Sequence, residues 1–118
     1  MIGVSVCVAA LPPASPQYSE THSITLKLSF SSGSADCTEK IVGGYGTTKI
    51  SNCTTTLTDS KGNLKGEWKN LPATGSTLSF TKTAYDIAVG DTYTLAVSAD
   101  VTRNGKIESV SESIIETY

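Results

Sequence analysis

The sequence predicts a single all-β domain, an immunoglobulin-like or fibronectin-III-like antiparallel β-sandwich of about seven strands. Short segments alternate apolar and polar residues with a period of two, which is typical of half-buried strands. Turn-forming residues separate these segments at intervals of about 8 to 15 residues, as expected for a sandwich. Of the 118 residues, 16 are serine, 17 are threonine and ten are glycine, a composition that favours strands and turns over helices.

A predicted leader precedes the first strand. Residues 1–17 are interpreted as a secretory signal peptide or its remnant, and residues 18–118 as the sandwich domain. The apolar run at residues 2–11 is too short to span a bilayer as a helix and matches the core of a signal peptide. The leader therefore predicts an exported protein. No other segment is long and apolar enough to cross a membrane as a helix, so we expect the mature chain to be soluble.

Two features of this leader leave alternatives open. The apolar core is not preceded by Lys or Arg, so either the true start lies upstream of Met1 or the segment is not a working signal. Cys7 follows a short apolar run, like the lipid-bearing cysteine of a lipoprotein, but Val6 occupies the position where a small residue is needed. We therefore expect Cys7 to be an apolar residue of a peptide that is removed.

The strands of the domain are predicted in order from the period-two pattern. The first strand carries on one face the apolar side chains Ile24, Leu26, Leu28 and Phe30. Four more strands are predicted over residues 35–42, 47–58, 64–71 and 77–82. A shorter segment with Tyr85, Ile87 and Val89 then leads into the turn at Gly90-Asp91.

The third of these strands contains an irregularity. Ile50 has the wrong parity for the face that carries Cys53 and Leu57. One extra residue in a strand restores the parity, so we expect a β-bulge or an edge twist between Ile50 and Cys53.

The last two strands are predicted to form a hairpin about Asn104-Gly105. Both central positions of a type I′ turn need a positive φ, and Asn-Gly is the strongest short hairpin signal. Apolar side chains alternate along the first of these strands from Tyr93 to Val101. A turn centred on Asn104-Gly105 pairs Ala99 with Val110 and Leu95 with Ile114.

The same register places Glu112 opposite Val97, on the inward face of the terminal strand. An inward-pointing carboxylate is costly when it is buried, and proteins use such groups to blunt the edges of sheets. We interpret Glu112 as an edge-blunting residue, with a ligand-binding carboxylate as the alternative.

Two cysteines, Cys37 and Cys53, remain if Cys7 leaves with the leader, in a compartment that permits oxidation. Midway between them lies the glycine-rich turn at residues 43–46, and a hairpin whose loop is residues 44–46 places the two cysteines opposite each other. Opposed residues in a non-hydrogen-bonded pair are close enough for a disulfide, so a Cys37–Cys53 disulfide is predicted. The alternative is two reduced, buried cysteines.

Several short motifs occur along the domain. They are Ala35-Asp36-Cys37, Gly46-Thr47-Thr48-Lys49-Ile50, Trp68, Gly90-Asp91-Thr92-Tyr93, and Arg103-Asn104-Gly105-Lys106 followed by Glu108. Together these motifs resemble those of small secreted proteins of Gram-positive, Firmicutes-type gut bacteria. The resemblance covers residues 30–113 and implies secretion and an all-β domain. That group has no assigned biochemical activity, so the resemblance implies no functional residue.

The segment Gly90-Asp91-Thr92-Tyr93 also looks like the tyrosine corner of immunoglobulin-like sandwiches. In that motif the phenol hydroxyl bonds back to the backbone a few residues upstream. Leu95 stands where antibody domains have the second cysteine of their intersheet disulfide, so an antibody-type domain is not expected.

The residues that most enzymes use are scarce. His22 is the single histidine and is expected to be exposed at the start of the first strand. The sequence also lacks the G-x-S-x-G motif of a serine nucleophile. The acidic residues are scattered and no C-x-x-C pair occurs, so we predict no enzyme and no catalytic, cofactor-binding or metal-binding residue. Nine Lys and Arg against eleven Asp and Glu give a formal net charge of −2 without a basic stripe, which disfavours nucleic acid as a partner.

Binding is the remaining hypothesis. Tyr45, at the tip of the glycine turn, is the best candidate for an exposed ligand contact, and Trp68 is a second candidate that is expected to pack mainly in the core. Tyr18 and Tyr118 are further aromatic candidates. The sequence thus predicts a secreted, non-enzymatic module that binds an extracellular protein or glycan. A small antimicrobial or toxin-like effector is the alternative, disfavoured by the low net charge and the lack of an amphipathic membrane segment.

Overall fold

The computed structural model describes the backbone of residues 21–118 and the side chains of residues 23–118. Its seven strands, numbered in chain order, are β1 Thr21–Ser31, β2 Ser34–Gly43, β3 Thr47–Thr58, β4 Leu64–Lys69, β5 Thr77–Tyr85, β6 Thr92–Arg103 and β7 Lys106–Thr117. The predicted leader with Cys7, and Tyr18 after it, lie outside the described residues. His22 lies at the start of β1, as expected, but the prediction that its side chain is exposed also lies outside the described part.

The strands form two antiparallel sheets, one of order β1-β2-β5 and one of order β4-β3-β6-β7. This confirms the all-β sandwich that the sequence predicts. The fourth strand pairs with the third, whereas in immunoglobulin constant domains it belongs to the other sheet. The architecture is therefore of the fibronectin-III-like kind.

The core lies between the sheets and is built from alternate side chains of each long strand. In β6, for example, Val97 and Ala99 are buried, and Ser98 between them is exposed. Two clusters of buried residues divide the core along the length of the sandwich. One contains Ile41 and Cys53, and the other contains Cys37, Leu57 and Tyr93. Leu26 and Trp68 pack against both clusters and connect them.

The predicted terminal hairpin is confirmed in its register. Asn104 and Gly105 have φ values of 51° and 78°, as a type I′ turn requires. Consequently β6 and β7 pair without a register shift from the turn to their far ends, including the predicted pairs Ala99 with Val110 and Leu95 with Ile114.

The expected bulge in the third strand is also present. The pairing of β3 with β6 shifts between Ser51 and Thr54, and Asn52 within the shift has a φ of 53°. The extra residue brings Ile50 and Cys53 to the same, buried side of the strand.

Tyr93 forms the predicted tyrosine corner. Its ring is 1% exposed, and its hydroxyl oxygen accepts a hydrogen bond of 2.8 Å from the backbone N–H of Ala88. The Tyr93 ring lies 5.7 Å from the ring of Phe30, tilted by 49°. Tyr93 therefore ties the loop between β5 and β6 to the core between the sheets.

The hairpin predicted about residues 44–46 is wrong, and the disulfide that depended on it is absent. Both edges of β2 are occupied by β1 and β5, so β2 cannot pair with β3. The glycine-rich loop instead carries the chain from one sheet to the other. Cys37 and Cys53 are free, buried thiols in separate core clusters, which is the alternative left open by the sequence.

Burial makes both thiols unreactive at neutral pH. Loss of solvation raises the pKa of Cys37 to about 11, with a further increase from the charge of Asp36. Desolvation, together with Glu39, raises the pKa of Cys53 to about 12. A thiol of pKa 11 is ionised in about one molecule in a thousand at pH 8, and only the thiolate attacks alkylating reagents.

We therefore expect a Cys7→Ser variant to resist alkylation by iodoacetamide at pH 8 while it is folded. After denaturation, mass spectrometry should detect two alkylated cysteines. Rapid labelling of the folded protein, or an unfolded protein with no free thiol, would contradict this expectation.

Candidate functional site

Tyr45 lies where the sequence predicts it, at the tip of the loop between β2 and β3, and is 96% exposed. Thr47 fixes this loop, because its backbone N–H and its hydroxyl both donate to the carbonyl oxygen of Gly44, at 3.0 Å and 2.6 Å. The other strongly exposed aromatic residue of the described chain, Tyr85, ends β5 at the opposite end of the sandwich. The two rings therefore do not form a common platform.

Trp68 is a core residue rather than a surface contact. It lies in β4 opposite the buried Thr55, and its partly buried ring packs against both core clusters. The ring also covers Gly66, where a Cβ atom would lie 2.5 Å from Cη2 of the indole. The sequence expectation that Trp68 mainly packs in the core is confirmed.

Tyr118 is likewise used within the fold. Its ring stacks on that of Phe30, with centroids 4.8 Å apart and planes inclined by 11°. Its hydroxyl oxygen accepts a hydrogen bond of 3.1 Å from the backbone N–H of Gly33. With Trp68 and Tyr118 in the core, the residues that the structure describes present no groove of neighbouring exposed aromatic rings.

The outward side of the four-stranded sheet is instead lined by small side chains. The buried residues of β3 and β6 point inward, so the residues that alternate with them point to solvent. Strand β7 pairs with β6, and its small outward-pointing residues lie next to those of β6. We call this surface the hydroxyl face and define it by Thr54, Thr56, Ala96, Ser98, Ser111 and Ser113. All six line one shallow, open hollow of about 470 Å³.

A second hollow of about 250 Å³ adjoins the first and shares Ser98 and Ser111 with it. Large apolar side chains flank the two hollows, because Ile115 follows Ser113 and Ile107 precedes Ser109 on the outward side of β7. Ile107 is 69% exposed and Ile115 is 65% exposed. The face thus combines a polar floor of short side chains with an exposed isoleucine near each end.

Three charged side chains at the borders of the face interact with their neighbours, whereas Glu112, which also lines the larger hollow, is exposed. The Asp100 carboxylate accepts hydrogen bonds from the Asn52 side-chain amide at 2.9 Å and from the Ser109 hydroxyl at 2.8 Å. These two bonds lower the pKa of Asp100 below its ordinary value, and the bond from Asn52 has the larger effect. On the other border, Lys69 and Glu67 are 3.9 Å apart.

The described residues bring together no group of three or more His, Cys, Asp or Glu side chains that could hold a metal ion. Within residues 21–118 no helix is long and apolar enough to cross a membrane. Glu112 lies opposite Val97, as the predicted register requires, and its side chain is exposed on the strand that ends the four-stranded sheet.

Two features escaped the sequence analysis. Glu39 is a buried carboxyl group inside the sandwich, although the alternation of Ala35, Cys37 and Ile41 already places position 39 on the inward face. The hydroxyl face was not predicted, because its shape depends on which strands become neighbours. Its signal in the sequence is the scarcity of large or charged residues at the outward positions of two long strands.

Comparison with known proteins agrees with the fold. No family model matches the chain, and no curated protein matches it. Among solved structures, a domain of Parabacteroides merdae β-glucuronidase superimposes with a TM-score of 0.52 and 13% sequence identity, over 83% of this chain and 13% of that chain. A β-glucuronidase of Ruminococcus gnavus gives a TM-score of 0.44 and 13% identity, over 80% of this chain and 14% of that chain. The chain thus spans about one eighth of the length of the first of these enzymes, and at such identity the likeness concerns the sandwich alone.

Proposed function

We propose that this chain is an exported, non-catalytic binding module whose partner is a protein recognised by the hydroxyl face. The make-up of that face carries the proposal: a floor of short side chains, bordered by the exposed Ile107 and Ile115. The predicted leader and the resemblance to small secreted proteins of Gram-positive gut bacteria support export.

The physical properties of the face suit a flat protein surface. Serine, threonine and alanine lose little side-chain entropy when they become ordered, so contact with them costs little conformational freedom. Their hydroxyl groups can both donate and accept hydrogen bonds. Burial of Ile107 and Ile115 under a partner contributes favourable transfer free energy, about 1.5 to 3 kcal/mol for a fully buried isoleucine.

A glycan is the weaker candidate for this surface. Protein sites for sugars commonly stack the apolar face of a sugar ring on an aromatic side chain, and the lining of both hollows contains no aromatic residue. Tyr45 is the most exposed aromatic residue of the described chain, and the other strongly exposed ring, Tyr85, lies at the opposite end of the sandwich. Substitutions in the hydroxyl face should therefore weaken binding of a partner protein, whereas substitution of Tyr45 should weaken binding of a glycan.

Ser98→Arg is expected to weaken partner binding at least tenfold, because a long charged side chain would stand in the floor of the face. The measurement is binding of the immobilised full chain to cell-surface proteins of the source organism, with and without protease treatment of those proteins, and to a glycan array. We expect binding to the protein fraction that protease abolishes. The free energy of unfolding should change by no more than about 0.5 kcal/mol, because Ser98 is an exposed residue.

Ser79→Arg is the matched control, since Ser79 is an exposed serine on the outward side of the other sheet. It should bind like the unmodified chain, and so should Tyr45→Ala. Binding that survives protease treatment and Ser98→Arg but is lost in Tyr45→Ala would overturn the proposal in favour of a glycan site at the β2–β3 loop.

A further inference from the structure

Glu39 occupies the middle of the sandwich. It lies on β2, flanked in the sheet by Leu26 of β1 and Phe80 of β5, and its side chain is 0% exposed. A carboxyl group buried to this extent loses the hydration that stabilises its charged form. Such a position is costly unless other groups replace the water.

The partners of Glu39 all come from the opposite sheet. The Thr55 hydroxyl donates a hydrogen bond of 2.6 Å to Oε1, and the Cys53 thiol donates one of 3.2 Å to Oε2. Both donors are uncharged residues of β3. The carboxyl group of Glu39 thus links the two sheets through the interior without an ion pair.

Other titratable groups lie farther out on the inward faces. Cys37 precedes Glu39 on β2 and remains a neutral thiol, as does Cys53. Lys82 of β5 lies opposite Cys37, and Glu112 of β7 lies at the end of the row that runs from Thr55 through Val97; both are exposed. The inward residues of β1 and β4 nearest to Glu39, Leu26 and Trp68, carry no charge. Among the described residues, the side chains that act on the Glu39 carboxyl group are Thr55 and Cys53, and neither is a cation.

We propose that Glu39 is a pH-sensitive link between the two sheets. The neutral carboxylic acid holds the sheets together, and loss of its proton weakens their association. The change is a single ionisation, in which the proton passes to water and leaves a buried carboxylate whose two hydrogen-bond donors, Thr55 and Cys53, are uncharged. No other covalent bond forms or breaks. The resulting response makes the sandwich more stable in mild acid than at neutral pH.

The direction of this response follows from the pKa of the group. Desolvation raises the pKa of Glu39 above its usual 4.5, and the bonds from Thr55 and Cys53 offset only part of the increase. Between pH 4.5 and the folded pKa, the unfolded chain therefore binds fewer protons than the folded one. The contribution of Glu39 to stability is complete below pH 4.5 and is lost as the pH rises through its folded pKa. Asp100, whose pKa is lowered, acts in the opposite sense and below this window.

The test is urea denaturation of the full chain at several pH values from about 4.5 to 8, compared with Glu39→Gln and Glu112→Gln. Between pH 4.5 and the folded pKa of Glu39, the unfolding constant of the unmodified chain should rise by up to about tenfold for each unit by which the pH increases. Glu39→Gln keeps the shape of the side chain without its charge, so this rise should disappear. Glu112→Gln, which alters an exposed carboxylate, should retain it.

Infrared spectroscopy provides a test that does not depend on a variant being folded. In a pH titration, the carbonyl band of one protonated carboxyl group should persist in the unmodified chain to a higher pH than the bands of the exposed carboxyl groups, and it should disappear over the pH range in which the stability falls. An absence of that band, or an equal pH dependence in Glu39→Gln and the unmodified chain, would overturn the proposal.

Discussion

Tyr93→Ala is expected to lower the free energy of unfolding by about 4 kcal/mol, the largest effect of any single change considered for this domain. The ring is almost completely buried, lies beside Phe30 and fills the second core cluster. Its removal would leave a cavity that the surrounding strands can only partly close. Because single domains are stable by about 5 to 15 kcal/mol in total, the variant should unfold at a much lower urea concentration.

Tyr93→Phe separates the hydroxyl group from the ring. It keeps the packing but leaves the N–H of Ala88 without its acceptor, and we expect a loss of about 1 to 2 kcal/mol. Tyr85→Ala is the control, because Tyr85 is a largely exposed tyrosine, and it should change the stability by no more than about 0.5 kcal/mol. If Tyr93→Phe were neutral, the tyrosine corner would contribute no stability through its hydrogen bond.

The parts of the fold that the sequence predicts correctly depend on local chemistry. The register of β6 and β7 follows from a two-residue turn, because only residues that tolerate positive φ fit at Asn104 and Gly105. The bulge at Asn52 follows from parity, since Ile50 and Cys53 can both be buried only if the strand contains an extra residue.

The error concerns the choice of partner strands, which is not a local property. A glycine-rich loop can close a hairpin or carry the chain between two sheets, and residues 43–46 are compatible with both. The decision is made by β1 and β5, which occupy both edges of β2. The equal sequence distance of Cys37 and Cys53 from that loop therefore had no bearing on their distance in space.

The candidate site was predicted less well than the fold for the same reason. The exposure of Tyr45 depends on its own turn and was predictable. The hydroxyl face is an assembly of positions from β3, β6 and β7, and its flatness appears only when those strands are neighbours. Glu39 could have been assigned to the interior by parity, but its hydrogen bonds to β3 depend on how the two sheets face each other.

Trp68→Ala is expected to lower the free energy of unfolding by about 3 kcal/mol, because the indole packs against both core clusters. Tyr45→Ala, the matched change at the other aromatic candidate, should leave the stability within about 0.5 kcal/mol, because Tyr45 is 96% exposed. Urea denaturation of both variants distinguishes a structural aromatic residue from a surface one. A stability loss in Tyr45→Ala as large as that in Trp68→Ala would contradict the assignment.

A double-mutant cycle with Gly66 tests the position of the Trp68 ring directly. Gly66→Ala alone should destabilise the domain by about 1 to 3 kcal/mol, because the new methyl group would lie 2.5 Å from Cη2 of the indole and the rigid ring must move. Trp68→Ala removes the three atoms that lie nearest to this methyl group, so Gly66→Ala should cost less in that background. The two changes should therefore be non-additive by more than about 0.5 kcal/mol. Additive effects would mean that the ring does not lie over Gly66.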